Sequence, residues 1–277
     1  MLEELQTIFD STIKALDVLY VLEDIKPVSR IMLKEENYQP TIKFLEQINL
    51  FQEISNFKVE KTDNTDYSDK GVKLPLTSEK KGSYFLYISK NKELTEKAKN
   101  FEEKGEHYSL GIILGYPECC SRFFHENFPM ESKKNNDYVF PALKNSNGFR
   151  FPFHTNIIAR HLDLNLISHF PCNFNCKASI TIANKNLECI KKHSAEISKV
   201  IEGMLKGAVI YTQKRELFLL RNFNIEKNKL FYNNIISNTN NELAVKLKQN
   251  KAIEIINKNS IKIGNEELKD IGFMVFE

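Results

Sequence analysis

The feature that most restricts how this chain can fold is the grouping of its cysteines. Four of the five cysteines lie in two short stretches, residues 114–124 and 167–179, and they are Cys119, Cys120, Cys172 and Cys176. Each pair follows a proline, at Pro117 and Pro171, and proline is favoured where a helix begins. If the two pairs form one site, two segments far apart in the sequence must meet in the fold.

A thiol at the start of a helix lies near the positive end of the helix dipole, which lowers its pKa and favours the thiolate. Thiolates bind metals and act as nucleophiles. Cys172 and Cys176 are expected to face one point at a helix start, whereas adjacent residues on a helix diverge. We therefore expect three strong ligands, Cys119, Cys172 and Cys176, with Cys120 as a fourth ligand or an active thiol.

The cysteine spacing leaves the metal open. It is neither the repeated Cys-x-x-Cys pattern of a structural zinc site nor the cysteine run of a ferredoxin. Three thiolates with an open position fit a [4Fe–4S] cluster, and they also fit a zinc ion completed by His169. We favour an enzyme that uses an iron–sulfur cluster or another thiolate-bound metal on a small molecule or a modified residue. The alternatives are a structural zinc protein that binds a partner, and a metal-free enzyme using Cys119 or Cys120 with His169.

Two further side chains are candidate catalytic residues. His169 closes a predicted strand just before the second cysteine pair, where it can act as a ligand, as a general acid or base, or as a hydrogen-bonded core residue. Arg122 follows the first pair and can hold an anionic group of a substrate through two hydrogen bonds. Cys189 is expected to pack in the core. The weaker candidates are His154, His161, Arg160 and Asn156.

Three segments of the sequence follow one another in a characteristic order. They are Leu-Gly-Tyr-Pro-Glu-Cys-Cys-Ser-Arg-Phe-Phe, then Phe-Pro-Phe-His-Thr-Asn, then Ser-His-Phe-Pro-Cys-Asn-Phe-Asn-Cys-Lys-Ala-Ser. This set resembles an uncharacterised prokaryotic family, the one catalogued as domain of unknown function 483. The family's last segment is similar to His-x-Pro-Cys-Ser-x-x-Cys, and Asn173 stands here in place of the serine. The resemblance covers residues 84–192 and implies no activity, but it implies that one site contains Cys119, Cys120, His169, Cys172 and Cys176.

The chain as a whole is predicted to be an α+β protein in three parts. Residues 1–82 are expected to form N-terminal helices and a loop, and residues 83–206 a central α/β domain that carries the cysteines. Residues 207–277 are expected to form a small β-rich C-terminal region. Apolar residues recur with helical spacing over residues 2–22, whereas β-branched and aromatic runs predict strands at residues 83–89 and after Gly207.

Several local predictions bear on the position of the site. We expect a short helix over residues 28–36 and a polar surface loop over residues 58–82. Residues 128–153 are expected to be irregular. Residues 164–170 have strand character, and Asn173 is expected to cap the helix that carries the second cysteine pair.

Composition and charge restrict the cellular location and the partners that we expect for this protein. The net charge of +3 is a weak excess that does not indicate a nucleic-acid binder. No apolar stretch reaches the ~18 residues that a membrane span needs, and the first residues lack the apolar run of a secretory signal. We therefore expect a cytoplasmic protein without a membrane partner. In a reducing compartment its cysteines would be ligands, reactive thiols or core residues rather than disulfides.

Overall fold

The computed structural model describes residues 1–61 and 71–277. Its α-helices are α1 (Leu2–Phe9), α2 (Thr12–Leu22), α3 (Tyr38–Gln47), α4 (Lys92–Lys104), α5 (His107–Ile113), α6 (Glu118–Glu131), α7 (Val139–Lys144), α8 (Lys177–His193), α9 (Ala195–Leu205) and α10 (Glu242–Asn250). Short 3-10 helices cover Glu35–Asn37, Phe153–Thr155 and Ile157–Leu162.

The strands belong to three sheets within the described residues. They are β1 (Ser29–Lys34), β2 (Phe51–Ile54), β3 (Phe57–Lys61), β4 (Gly71–Pro75), β5 (Ser83–Ser89), β6 (Arg150–Phe151), β7 (Gly207–Tyr211), β8 (Leu217–Arg221), β9 (Asn224–Glu226), β10 (Lys229–Phe231), β11 (Asn234–Ser237), β12 (Ala252–Asn257), β13 (Ser260–Ile263), β14 (Glu266–Leu268) and β15 (Gly272–Phe276). This mixture of helices and sheets confirms the predicted α+β class.

The predicted N-terminal helix is present in two pieces. It ends at Asp10, which has a φ of +47°, and restarts at Ser11, whose hydroxyl accepts a hydrogen bond from the N–H of Lys14 at 3.3 Å. Asp163 accepts from Ser11 Oγ at 2.6 Å and from the N–H of Thr12 at 2.5 Å. A carboxylate is favourable at a helix N-terminus, so α2 is tied at its start to the central part of the chain.

The first sheet has the order β1-β5-β3-β4, with β2 also paired to β5. The prediction of a helix over residues 28–36 is wrong, because most of this segment forms β1. Ser29, Ile31 and Leu33 are buried and alternate with more exposed residues, which is the period of a strand. Pairing with β5 along the whole of β1 outweighs the local preference of Met32 and Leu33 for a helix.

The predicted surface loop over residues 58–82 is wrong for residues 58–61 and 71–75, where β3 and β4 pair in antiparallel fashion. It is confirmed for residues 76–82, which lie outside helices and strands. The acidic residues Asp63 and Asp66 lie outside the described residues. Lys58 shows why polarity misled the prediction: its buried ammonium group lies 3.3 Å from a carboxylate oxygen of Glu35 and donates to the carbonyl of Ser78 at 2.7 Å. A paired lysine can therefore occupy a buried strand position.

Residues 128–153 are more regular than predicted. α6 continues to Glu131, and α7 begins at Val139. Asp137 helps to start α7, because its carboxylate accepts a hydrogen bond from the N–H of Val139 at 3.0 Å. A carboxylate just before a helix satisfies an N–H that has no partner inside the helix.

The prediction of a strand over residues 164–170 is also wrong. Side chains from other elements, rather than a neighbouring strand, hold this segment. Asn186 donates to the carbonyl of Leu166 at 2.7 Å, and Ser168 donates to Asp17. Leu166 and Ile167 are buried, and an apolar run alone does not distinguish a strand from a buried segment of another kind.

The predicted β-rich C-terminal region contains two sheets, with the orders β11-β8-β7-β15-β6 and β14-β13-β12-β10-β9. The sequence analysis missed α10 and the short strands β9, β13 and β14. β6 pairs in parallel with β15, so the first of these sheets includes a strand from the central part. Similarly, β5 begins the predicted central region but pairs with the N-terminal strands. The division near residues 82 and 206 stays a prediction.

Two apolar clusters lie on opposite faces of the sheet that contains β7 and β15. The larger cluster includes α1, α2, most central segments and Val209 and Met274. The other includes α10, Ile210 and Phe273. Cys189 belongs to the larger cluster and is 5% exposed, as expected for a packing residue. Within residues 1–61 and 71–277, no helix is both long and apolar enough to cross a membrane.

A buried ion pair connects α2 with the segments around it. Asp17 and Lys26 are 4% and 9% exposed, and Lys26 Nζ lies 2.9 Å from Asp17 Oδ2. The same carboxylate accepts hydrogen bonds from Ser29 Oγ at 3.1 Å and from Ser168 Oγ. Burial opposes the charge on Lys26, but the Asp17 carboxylate outweighs this effect and raises the pKa of Lys26.

Asp17→Asn should destabilise the protein, because it leaves the Lys26 ammonium buried without an opposite charge. We expect the free energy of unfolding to fall by about 3 kcal/mol, measured by urea denaturation at neutral pH. The double variant Asp17→Asn/Lys26→Met removes both charges and should recover part of this loss. A single variant as stable as the wild type would contradict the importance of the pair.

Candidate metal centre

The first cysteine pair lies in the opening turn of α6, as predicted. Gly115 turns the chain with a φ of +78°, and a Cβ at this position would lie 2.7 Å from Cδ of Pro27. Glycine is therefore favoured both by conformation and by space. Pro117 is the N-cap residue, and its carbonyl accepts a hydrogen bond from the N–H of Cys120 at 3.0 Å. Cys119 lies in the same turn.

The second pair lies in a turn that precedes α8. The predicted helix start at Asn173 is wrong, because Cys176 is the N-cap residue and α8 begins at Lys177. Asn173 stabilises the turn instead: its Oδ1 accepts a hydrogen bond from the N–H of Asn175 at 2.9 Å, which is an Asx turn. Cys172 and Cys176 therefore approach each other through a turn and not across one face of a helix.

The sulfur atoms of the four cysteines all lie within 4.8 Å of one another. The sulfurs of Cys119, Cys120 and Cys176 form a nearly equilateral triangle with sides of 3.8, 3.7 and 3.7 Å. The sulfur of Cys172 is the fourth member of the group. The thiols are free. Cys119 and Cys120 do not diverge as expected, because side chains in the first turn lean towards the helix N-terminus. These four side chains are hereafter called the sulfur cluster.

The sulfur cluster has a buried side and an exposed side. Cys120 and Cys176 are 1% and 6% exposed, Cys172 is half-buried and Cys119 is exposed. The sulfur of Cys120 accepts a hydrogen bond from the N–H of Cys172 at 3.3 Å and lies 3.3 Å from the hydroxyl oxygen of Ser179. Hydrogen-bonding groups of the protein therefore fix the sulfur of Cys120 on the buried side, whereas the exposed side of the cluster faces solvent.

The four thiols cannot all ionise without a compensating positive charge. Hydrogen bonds with Cys120 and Cys172 lower the pKa of Cys176. Hydrogen bonds with Cys172 and Cys176, together with burial, raise the pKa of Cys120. At Cys172 the bond with Cys120 favours the thiolate, but the bond with Cys176 and burial outweigh it and raise the pKa to about 12. The thiolate is therefore favoured at Cys176 and disfavoured at Cys120 and Cys172, and a bound cation would favour it at all of them.

His169 lies behind the buried side of the sulfur cluster. It is 6% exposed, and its Nε2 lies 2.9 Å from Ser179 Oγ, the same oxygen that approaches Cys120. Its ring packs against Tyr116 with centroids 5.1 Å apart. Burial lowers the pKa of His169 to about 3, so the ring is neutral at neutral pH. His169 reaches the sulfurs through Ser179, and its direct role as a ligand or in catalysis stays a prediction.

Arg122 lies on the exposed side, at a surface concavity of about 700 Å³. Its guanidinium group lies 2.6 Å from a carboxylate oxygen of Glu118, one helical turn away, and this contact raises the pKa of Arg122. Cys119, Cys172 and Glu126 line the same concavity. The predicted role of Arg122 in holding an anionic group stays a prediction, but the arginine does share an open surface with two of the sulfurs.

Other candidates from the sequence belong to separate networks. Arg160 Nη2 lies 3.2 Å from Asp137 Oδ1, and the Tyr211 hydroxyl donates to the other oxygen of this carboxylate. Nε2 of His161 lies 3.0 Å from the same hydroxyl. The amide of Asn156 donates to a backbone carbonyl at 2.7 Å. The structure therefore does not bring Asn156, Arg160 or His161 into contact with the sulfur cluster, and His154 is likewise not part of it.

The sequence analysis missed the residues that hold the second cysteine turn. Asn145 Nδ2 donates to the carbonyl of Cys172 at 3.2 Å, and Ser146 Oγ accepts from the N–H of Phe174 at 2.8 Å. Lys258 Nζ, just after β12, donates to the carbonyl of Ser146 at 2.7 Å and to two other carbonyls at the end of α7. No local sequence signal connects this lysine with the cysteines.

Comparison of the chain with family models, with curated proteins and with solved structures gave no match. The assignment of a function therefore depends on the geometry of the sulfur cluster and of the residues around it. The resemblance to the family of domain of unknown function 483 stays a prediction.

Lys258→Met should weaken metal binding, because it removes the ammonium group that fixes the end of α7 against the second cysteine turn. Residues that orient ligands affect metal affinity by about tenfold or more, and we expect a loss of about tenfold, measured by competition with a chromophoric chelator. Lys262→Met, on β13, is the matched control and should keep wild-type affinity. Equal affinities for the two variants would contradict this role for Lys258.

His161→Gln should make stability less sensitive to acid. Burial lowers the pKa of His161 to about 2, whereas an unfolded histidine titrates near ~6.5. As the pH falls below ~6.5, the unfolded state takes up the proton first, and stability present at higher pH is lost. The variant should lose less stability between pH 6.5 and pH 4.5, by up to about 1.4 kcal/mol per pH unit. Urea denaturation measures this, with the exposed His125→Gln as control; equal slopes for wild type and His161→Gln would refute the prediction.

Proposed function

We propose that the protein binds one zinc ion through the four thiolates of the sulfur cluster. The observation that carries the proposal is the size of the cluster. Zinc holds four thiolates at ~2.3 Å in a tetrahedron, which places neighbouring sulfurs about 3.8 Å apart. Three of the sulfur–sulfur distances here are 3.7 to 3.8 Å, so one ion fits among the sulfurs with little movement of the side chains.

The iron–sulfur cluster favoured from the sequence has less support. In a [4Fe–4S] cluster each thiolate binds a different iron, so the body of the cluster holds the cysteine sulfurs further apart than the edge of one tetrahedron. All four sulfurs lie within 4.8 Å of one another here, which is room for one ion. A single iron in four thiolates has nearly the same size as zinc and is distinguished by its colour.

The surroundings of His169 favour a metal over a metal-free thiol enzyme. Such an enzyme needs a base within hydrogen-bond reach of an accessible thiol. The hydrogen-bond partner of His169 is Ser179, and the sulfur beyond it, Cys120, is only 1% exposed. A bound cation instead offsets the repulsion among four neighbouring thiolates.

With the ion bound, zinc supplies the positive charge that keeps the four sulfurs as thiolates at neutral pH. The Ser179 hydroxyl then donates to the thiolate of Cys120, so its oxygen accepts from the Nε2–H of neutral His169. Such partners orient metal ligands and tune their charge. The substrate in this proposal is a small molecule or a modified residue that enters the concavity next to Cys119, which Arg122 also lines. The proposed setting is the cytoplasm, where cysteines stay reduced.

Membership of the family of domain of unknown function 483 is part of the proposal. The resemblance groups five residues, and four of them form the sulfur cluster. The fifth, His169, contacts the hydroxyl oxygen of Ser179, which in turn lies next to the sulfur of Cys120. This arrangement supports the grouping, whereas the metal and the activity have to be tested directly.

Anaerobically purified protein should contain one zinc ion per chain and show no visible absorption. Replacement of zinc by Co²⁺ should give the ligand-field and charge-transfer bands of cobalt in a tetrahedron of four thiolates. Cys120→Ser and Cys176→Ser should each lower zinc affinity by at least about tenfold, measured by chelator competition. Cys189→Ser, which changes a packing cysteine, is the matched control and should bind zinc as the wild type does.

Two outcomes would contradict the proposal. Brown protein containing iron and sulfide, both lost in Cys176→Ser, would show that the site holds an iron–sulfur cluster and not a zinc ion. If the purified protein contains no metal and binds neither added Zn²⁺ nor added Co²⁺, the sulfur cluster is a set of four free thiols and the proposal is wrong.

A further inference from the structure

The four sulfurs differ in the hydrogen bonds that they accept. Cys120 has the N–H of Cys172 and the hydroxyl of Ser179 within 3.3 Å, and the sulfur of Cys172 accepts from the amide of Asn173 at 3.5 Å. In the part of the chain that the structure describes, the hydrogen-bond neighbours of the Cys119 sulfur are the other sulfurs alone, whereas the sulfur of Cys176 also accepts from the N–H of Ser179. A hydrogen bond withdraws charge from a thiolate, so the sulfur that lacks a donor from an N–H or hydroxyl group keeps the most charge.

The sulfur of Cys119 is also the accessible one. Cys119 is the exposed member of the cluster, and it faces the concavity of about 700 Å³, which is the size of a small-molecule site. Phe123 and Pro117 are apolar residues that line this concavity. A reagent that enters the concavity therefore meets the most charged sulfur of the four.

The charge around the concavity selects the kind of reagent. Glu118 and Glu126 line it together with one cation, Arg122, which pairs with Glu118 at 2.6 Å. A divalent ion bound by four thiolates adds a net negative charge. Surfaces of one sign concentrate small ions of the opposite sign, so a cationic reagent is favoured there over an anionic one.

We propose that Cys119 is a nucleophile that accepts an alkyl group from a cationic alkyl donor of the sulfonium class. The proposal rests on the zinc-binding function proposed above, because the bound ion keeps Cys119 as a thiolate. It extends that function by naming the reacting atom and the class of substrate.

The step is a displacement at carbon. The sulfur of Cys119 forms a bond to the alkyl carbon, the carbon–sulfur bond of the sulfonium breaks, and its electron pair stays on the departing neutral thioether. No proton moves and no oxidant or reductant is needed. The thiolate becomes a thioether, so the centre loses one negative charge while the donor loses its positive charge.

The test uses the full chain loaded with zinc and two methyl donors, cationic dimethylphenylsulfonium and neutral iodomethane. Intact mass gives the number of methyl groups added, and peptide mapping gives their positions. We expect one methyl group, on Cys119, from either donor. Cys119→Ser should take up no methyl group at the sulfur cluster, and the buried Cys189 serves as an internal reference for non-selective reaction.

A second variant tests the choice of a cationic donor. Glu118→Gln/Glu126→Gln should slow methylation by the sulfonium about tenfold and leave the rate with iodomethane unchanged. Glu196→Gln, at an exposed position in the first turn of α9, is the matched control and should change neither rate. Metal analysis of each variant shows that zinc is retained.

The outcomes separate this inference from the proposed function. If zinc is bound but Cys119 reacts no faster than Cys172 or Cys189, the inference is wrong and the zinc site stands. If Cys119 is methylated but the double glutamine variant reacts at wild-type rates with both donors, the assignment to cationic donors is wrong. If the chain binds no zinc, both proposals fail.

Discussion

The placement of four sulfurs within 4.8 Å of one another is the constraint on which the rest of the site depends, because four thiolates at this spacing would repel one another. The N-terminal ends of α6 and α8 meet at the cluster, and each provides about half a positive charge. Two helix ends do not offset four thiolates, whereas one divalent cation and the two helix ends together come close. The features that set where these helices begin, Gly115 and Pro117 for one and the Asx turn at Asn173 for the other, therefore also set the geometry of the centre.

The sulfur cluster is small, yet segments from the whole chain position it. On one side, the Nζ of buried Lys26 lies 5.3 Å from the ring centroid of Tyr116, and this ring packs against His169. On the other side, Lys258 fixes the end of α7 and, through Ser146, the second cysteine turn. Such outer contacts decide how rigidly ligand side chains are held, so the geometry of the sulfur cluster depends on residues that lie in the N-terminal and C-terminal parts.

The start of α6 was predictable because glycine and proline act through their own backbone geometry, which is local information. The start of α8 was not, because Asn173 suits an Asx turn as well as a helix cap. β1 depends on β5, and strand pairing outweighs the propensities of a short segment. Lys258 shows most clearly what local sequence does not predict. It lies 112 residues from Ser146 in the sequence, and only the fold brings the two residues together. The meeting of the cysteine pairs was predictable from their placement, whereas the close spacing of their four sulfurs required the structure.

A closed set of four thiolates is usual for structural zinc, and the unequal surroundings of the four sulfurs are what argue for chemistry here. The apolar core next to the cluster extends from α1 to β15, and a core of this extent does not need an ion in the way that small zinc domains do. A purely structural site would be best protected with every ligand buried, as Cys120 and Cys176 are. The fold instead leaves Cys119 exposed beside a concavity and without an N–H or hydroxyl donor among the described residues, which is the arrangement that the proposed reaction at this sulfur requires.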